Sequence, residues 1–185
     1  PIIFGGLKKI NGKNYVEKTV ITAIKNDIAI YAIHTNLDNV KEGVNGKIAS
    51  MLGLLNLSIL SSKENSLRKL FTFVPVDKAE QVRDAIFEAG GGHIGNYSEC
   101  SFTTEGTGTF KAGQGADPYT GEIGKRHFEK EIKIEVIFPG FLERKIVMAM
   151  KAAHPYEEVA YDVVLLSNSH QGIGSGILGE LPGSL

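Results

Sequence analysis

The amino-acid sequence predicts an α/β layer that is interrupted by an inserted α+β domain with ferredoxin-like strand order. Three observations carry this prediction. Residues 28–33 form an unbroken apolar run, which is typical of a strand buried on both faces of a parallel sheet. Between residues 68 and 166 the patterns follow one another in the order β-α-β-β-α-β. Polar stretches at 61–68 and from 167 onward mark the limits of that segment.

The first segment is predicted to alternate helices and strands. The order is helix 14–25, strand 28–33, helix 40–52 and strand 54–60. Asn39 has the character of a cap for the second helix, and Glu42, three residues on, completes a capping box. Two strands are too few for a finished α/β layer, because nothing covers both of their faces.

The second segment is predicted to hold six elements. They are strands 69–76, 93–103, 130–138 and 159–166 and helices 78–89 and 142–153. Over 130–138 apolar residues alternate with Glu131, Lys133 and Glu135, which predicts a half-exposed strand. The glycine-rich stretch 106–124 is interpreted as a polar excursion between strands. It lacks the Gly-Lys-Ser/Thr sequence of a phosphate-binding loop, which favours an extended hairpin. From residue 167 the chain is predicted to be loop-like, with no closing element.

These patterns predict three ranges along the chain. We expect a partial α/β domain over 1–67, an insert over 68–166 and a return to the first domain over 167–185. The first four residues read as a short apolar stub.

Composition restricts the partners. The chain has 185 residues, of which 42% are hydrophobic and 22% charged, with a net charge of −1. The chain has no excess of basic residues that would indicate nucleic-acid binding. No apolar run approaches the roughly 20 residues that a membrane span needs. The single cysteine, Cys100, excludes an internal disulfide and fits a reducing, cytoplasmic location.

His34 and Asp38 directly follow the apolar run, at the expected carboxyl end of its strand. Ligands of open α/β sheets gather at that end, and both side chains bind divalent metals. Two donors alone do not make a site. An Asp just before a helix is more often a cap, and a lone His is more often a hydrogen-bonded structural residue.

Two long motifs are specific enough to carry a family resemblance. The first is Tyr-Ala-Ile-His-Thr-Asn-Leu-Asp at 31–38, with Gly-Val-Asn at 43–45 and Leu-Gly-Leu at 52–54. The second comprises residues 106–122 together with His-Pro-Tyr-Glu-Glu-Val-Ala-Tyr-Asp at 154–162. The first resembles the core of the Nif-three-like proteins, widely labelled GTP cyclohydrolase 1 type 2 homologues. The second resembles the PII- and CutA-like domain inserted into their longer members.

The resemblance implies a metal site. Family members hold two divalent ions, so zinc, iron or manganese is expected as a cofactor, with Asp38 as a matched ligand. His34 is expected to act as a ligand or as a catalytic proton-transfer group. Residues 1–4 resemble the stretch that follows the family's His-His pair, and its late His and Glu ligands would follow residue 185. We therefore expect this chain to be an internal fragment of a longer protein that assembles as a hexamer.

Two functions follow from the resemblance. One is a metal-dependent hydrolase of a nucleotide-like or phosphate-bearing small molecule. The other is a non-catalytic regulatory or scaffold protein, whose PII-like insert binds a small effector or a partner.

The remaining histidines are weighed differently. His154, Glu157 and Glu158 have the spacing of metal ligands on one helical turn, but Pro155 breaks any helix there, which favours a rigid turn. No role is assigned to the other three histidines, which are His93, His127 and His170.

Overall fold

A computed structural model describes residue 6 and residues 9–183, which fall into two compact units. Unit 1 comprises Pro1–Ser61 and Gly174–Leu185, and unit 2 is Ser62–Ile173. The apolar stub predicted at residues 1–4 lies outside the described residues. None of the helices in the described part is both long and apolar enough to cross a membrane.

The described residues form four helices and six strands. In chain order they are α1 (Tyr15–Lys25), α2 (Val44–Met51), β1 (Leu55–Ser62), β2 (Leu67–Pro75), α3 (Ala79–Glu88), β3 (Phe102–Lys111), β4 (Arg126–Pro139), α4 (Glu143–Ala153), β5 (Tyr161–Leu165) and β6 (Gly174–Glu180).

Unit 1 confirms the predicted first helix and the predicted strand after residue 54. The Asn14 side chain caps α1 by accepting a 2.9 Å hydrogen bond from the Glu17 backbone N–H. The Glu17 carboxylate in turn accepts backbone N–H groups of Asn11 and Lys13, each at 3.0 Å. These bonds satisfy one N–H of the first turn and fix the loop before the helix, and α1 begins where the sequence places it.

The buried strand predicted at residues 28–33 is wrong. The segment lies in irregular backbone, and the Ile28 and Tyr31 side chains are 57% and 83% exposed. The physical reason is the lack of neighbours. The described part of unit 1 holds one sheet, the pair β1–β6, and it provides no strand beside residues 28–33.

Two further expectations in unit 1 are corrected. The second helix begins at Val44 with Gly43 as its N-cap, so the capping box at Asn39 and Glu42 does not form. Asn39 instead closes a 3-10 turn, Leu37–Asn39. The end of the chain, predicted as loop, contains β6, which pairs with β1.

Unit 2 confirms the ferredoxin-like order. Its four strands form an antiparallel sheet in the order β3-β4-β2-β5. Helices α3 and α4 cover one face of this sheet and complete its core. The fully enclosed core side chains are Leu70, Val74, Val82, Ile86, Ile134, Phe138, Ile146 and Met150.

The alternation predicted for 130–138 separates the two faces of the sheet. Ile134 and Val136 of β4 face the core, whereas Glu131, Lys133 and Glu135 lie on the opposite, open face. In the antiparallel register Phe73 of β2 is the partner of Lys133, so both lie on this open face.

The strand predicted at 93–103 is displaced along the sequence. Residues 93–101 are a loop, and β3 begins at Phe102 and continues through Gly106 and Gly108 to Lys111. The glycine-rich stretch is therefore strand in its first part and loop only in its second. The long partner strand β4 supplies the hydrogen bonds that hold it extended, which outweighs the low strand propensity of glycine.

Candidate functional site

Residues 35–39, which we call the Asp38 turn, are fixed by hydrogen bonds to backbone oxygens. The Asp38 N–H donates to the Thr35 carbonyl oxygen at 3.2 Å. The Asn39 side-chain amide donates to the same oxygen at 2.9 Å. On the other side of the turn, the Ser175 hydroxyl donates to Asn39 Oδ1 at 2.7 Å. The turn is therefore held from two directions.

Helix α2 packs directly against the Asp38 turn. The Asn45 side-chain amide donates to the Asp38 carbonyl oxygen at 2.9 Å. A Cβ atom at residue 43 would overlap the Leu37 carbonyl oxygen, so this approach requires glycine. The Gly-Val-Asn motif at 43–45 thus has a structural reason: it seats the helix on the turn.

The Asp38 carboxylate takes no part in this network. Asp38 is half-buried, and its side chain has no hydrogen-bond or ion-pair partner among the residues that the structure describes. It caps neither element, since the 3-10 turn has Asn36 as its N-cap and α2 has Gly43. The cap interpretation of Asp38 is therefore wrong. His34, four residues earlier, is exposed.

The described residues do not by themselves complete a metal centre. Within residue 6 and residues 9–183, no group of three or more His, Cys, Asp or Glu side chains is placed to hold a metal ion. A carboxylate such as that of Asp38 has suitable donor chemistry for one ligand position. A site for two ions needs further donors, so the roles expected for Asp38 and His34 stay predictions.

A second candidate site lies on the open face of the sheet of unit 2. A cavity of about 700 Å³, which we call the insert groove, opens between β3, β4 and the loops after β3 and α4. Its lining is mostly apolar and aromatic, with a few charged groups. The lining includes Phe110, Tyr119, Tyr156, Glu131, Lys133 and Glu157. The volume suits a small organic ligand.

A buried carboxylate forms part of the groove. Glu131 is only 9% exposed, and its Oε1 accepts a 2.9 Å hydrogen bond from the Tyr156 hydroxyl. Burial and the adjacent Glu131 carboxylate raise the pKa of Tyr156 well above its usual value. Tyr156 is therefore a neutral donor throughout the ordinary pH range.

Aromatic rings stand beside this pair. The Tyr156 ring centroid lies 6.2 Å from that of Phe110 and 6.1 Å from that of Tyr119, and the rings are tilted. These separations are in the range of favourable aromatic pairs. The three rings therefore form one wall of the groove.

His154 is structural, as the turn interpretation predicted. Its Nε2 lies 3.0 Å from the Phe73 carbonyl oxygen, which can only accept, so Nε2 carries the proton. Its Nδ1 accepts the Tyr156 backbone N–H at 3.1 Å. Burial lowers the pKa of His154. Both ring nitrogens are thus occupied, and the neutral ring orients Tyr156.

Sequence reasoning missed three residues that this face brings together. His127 and Glu129 were assigned no role, yet their side chains meet at 2.9 Å because residues two apart on a strand share a face. The two-residue spacing of His127 and Glu129 was the sequence signal that could have indicated this contact. The alternation in β4 indicates only that Glu131 lies on the exposed face. Its burial depends on Tyr156, 25 residues away, which no local pattern indicates.

Three comparisons with known proteins bear on the family. A family model described as Duf34/NIF3 (NGG1p interacting factor 3) matches residues 1–184. A GTP cyclohydrolase 1 type 2 homolog of Halalkalibacterium halodurans is 45% identical over 186 residues, covering 100% of this chain and 50% of that protein. Its Bacillus subtilis counterpart is 41% identical over 182 residues, covering 98% of this chain and 49% of that protein.

A solved structure agrees with both. The crystal structure of a Bacillus cereus protein related to NIF3 is 47% identical, with a TM-score of 0.78, and the match covers 99% of this chain and 48% of that one. The resemblance to the Nif-three-like family is confirmed. The chain spans about half the length of the curated relatives it matches.

Proposed function

The chain belongs to the Duf34/NIF3 (NGG1p interacting factor 3) family, and from this premise we propose that a protein of its relatives' length containing this chain, hereafter the whole protein, is a metal-dependent hydrolase. The substrate class we propose is a nucleotide-like or phosphate-bearing small molecule. The relatives' name, GTP cyclohydrolase 1 type 2 homolog, supports that class.

One observation carries the proposal. Hydrogen bonds from neighbouring groups hold the turn that carries Asp38. The Asp38 carboxylate itself has no hydrogen-bond or ion-pair partner among the described residues. A carboxylate that is positioned but unused is what a metal ligand requires before its ion binds. We assign Asp38 as a ligand, and His34 as a second ligand or as the group that moves a proton.

The cofactor we propose is a pair of divalent ions, zinc, iron or manganese. Such a pair, when bound, activates water and neutralises charge on a substrate. A pair of ions needs more donors than the described residues bring together, and we propose that the others come from elsewhere in the whole protein. We further propose a cytoplasmic homo-oligomer, a hexamer.

The test uses the whole protein and two variants with the same change of charge. Asp38→Asn is compared with Asp27→Asn, which lies in the same unit in a left-handed turn, φ 53°, that Asn also tolerates. Hydrolysis of a nucleoside triphosphate panel is followed with and without a chelator. We expect chelation and Asp38→Asn to abolish hydrolysis, and Asp27→Asn to leave it intact.

A specific observation favours a second candidate function. The insert groove is a formed cavity of about 700 Å³ in unit 2, which contains neither Asp38 nor His34. It supports a regulatory role in which the insert binds a small effector. Under this function Asp38→Asn leaves effector binding unchanged. Full hydrolytic activity in that variant would contradict the metal assignment.

A further inference from the structure

One oxygen of the buried Glu131 carboxylate is available to a ligand. Oε1 accepts from Tyr156, whereas Oε2 makes no hydrogen bond with any described residue. In the described part of the chain every fully enclosed side-chain oxygen has a hydrogen-bond partner, so an oxygen without one is not fully enclosed. Glu131 Oε2 is therefore reached from outside, and the space beside it is the insert groove.

No lysine of the groove neutralises this carboxylate. Glu131 forms no ion pair with a described residue. Lys133, the nearest cationic neighbour on β4, is bound instead to Glu135 Oε1 at 2.8 Å and lies 4.5 Å from the Phe71 ring centroid. A carboxylate this deeply buried without a cation is costly, and a bound cation would offset that cost.

The remaining charge of the lining has the same sign. Three carboxylates line the groove against one lysine. The carboxylates are those of Glu131, Glu157 and Glu158, and the lysine is Lys133. Glu105 and Lys111 of β3 pair with Ile132 and Arg126, so their side chains lie on the opposite face of the sheet. This balance attracts cations and disfavours phosphates and carboxylates.

The glycines of β3 make room beside Glu131. Gly106 is the register partner of Glu131, and Gly108 lies two residues along. A Cβ atom at residue 108 would overlap Glu131 Oε2, whereas one at residue 106 would meet nothing within 4 Å. A side chain at residue 108 would cover the carboxylate, so Gly108 keeps it accessible.

We propose that the insert groove binds a small organic cation, with a primary ammonium that donates to Glu131 Oε2 and an aromatic body that packs against Phe110, Tyr119 and Tyr156. The inference rests on the second candidate function, for which it names the ligand class. The aromatic wall suits such a ligand twice, since ring faces attract cations and ring edges pack against apolar groups.

The test is a titration of the full chain followed by backbone amide chemical shifts. The probe is 2-phenylethylammonium, and the matched probes are neutral 2-phenylethanol and anionic phenylacetate. A charge-assisted hydrogen bond predicts that the ammonium binds at least about tenfold more tightly than either. We expect the shifted amides to cluster in β3 at 106–110, at Glu131 and at Tyr156.

Two variants locate the binding group. Glu131→Gln keeps the shape and an oxygen for Tyr156 but removes the charge, and it should weaken ammonium binding about tenfold or more. Glu88→Gln makes the same change at an exposed position of α3, which covers the other face of the sheet, and should leave binding unaffected. The wild-type probe series decides the question even if Glu131→Gln fails to fold.

Other outcomes overturn the inference in distinguishable ways. Preferential binding of the neutral or anionic probe refutes the ligand class but retains an effector site in the insert. Binding of none of the three refutes the proposed ligand class, and it leaves the second candidate function, which does not depend on that class, standing. Protection of the β3 amides that rises with protein concentration, without any probe, means that a second copy of the chain covers this face, and it also refutes the proposed ligand.

Discussion

The Tyr156 hydroxyl donates a 2.9 Å hydrogen bond to Glu131 Oε1, across a sequence separation of 25 residues. Glu131 lies on β4, and Tyr156 follows α4 in the turn that His154 holds. This bond is the one described hydrogen bond of the Glu131 carboxylate. It therefore links the loop after α4 to the open face of the sheet and encloses the side of the insert groove.

Tyr156→Phe should destabilise the chain by about 1 to 3 kcal/mol, because a buried acceptor loses its donor. The measurement is the free energy of unfolding in urea. Tyr119→Phe is the matched control, since the Tyr119 hydroxyl makes no hydrogen bond with a described residue. Equal stability of the two variants would contradict a structural role for the bond.

Gly108→Ala and Gly106→Ala should differ although they make the same change on one strand. The new methyl group at 108 overlaps the Glu131 carboxylate, which must turn aside and strain its hydrogen bond to Tyr156, so the expected cost is about 1 kcal/mol. The methyl group at 106 meets open space, so its effect should stay within about 0.5 kcal/mol. Thermal unfolding of the two variants checks this difference, and similar midpoints would show that the carboxylate is not fixed over Gly108.

The buried His154 should make stability fall in mild acid. Burial lowers the pKa of His154 in the folded state below the ordinary value of 6.5, so the unfolded chain binds a proton more readily. The contribution of neutral His154 to the free energy of unfolding is complete above pH 6.5. It is lost as the pH falls from 6.5 through the pKa of His154 in the folded state. Unfolding free energies of the wild type between pH 7.5 and 5.5 should decrease, and His154→Gln should show a shallower slope. An unchanged slope in the variant would refute the assignment to His154.

Asn45→Ala should loosen the Asp38 turn. The variant loses the side-chain donor to the Asp38 carbonyl oxygen, which is worth about 1 kcal/mol. Hydrogen exchange at the Asp38 and Asn39 amides should accelerate, because both donate within the turn. Asn26→Ala, which removes a comparable amide bond to the Thr22 carbonyl oxygen at the end of α1, should leave those two amides unchanged.

Local sequence patterns predicted the elements that are stabilised by residues close to them in the sequence. The apolar spacing over 14–25 predicted α1, and the hydrogen bonds that begin that helix come from within six residues. The alternation at 130–138 predicted a half-exposed strand, and β4 has that pattern. The order of most elements in unit 2 followed, because β2, α3, β4, α4 and β5 each contribute apolar side chains to the core.

Elements that depend on distant partners were not predictable in this way. The run at 28–33 has the composition of a buried strand but no neighbouring strand in the described part of unit 1. Conversely, β6 contains three glycines and a serine, and it is a strand because β1 pairs with it. The Glu131 and Tyr156 contact likewise depends on the sheet register, which no local pattern reveals.

Asp38 as a metal ligand is tested most directly by the metal content of the whole protein, measured by elemental mass spectrometry alongside its intact mass. Wild type and Asp27→Asn should each carry about two divalent ions per subunit, and Asp38→Asn should carry fewer. Equal metal content in Asp38→Asn and wild type would contradict the assignment, as would a wild-type protein that binds no metal.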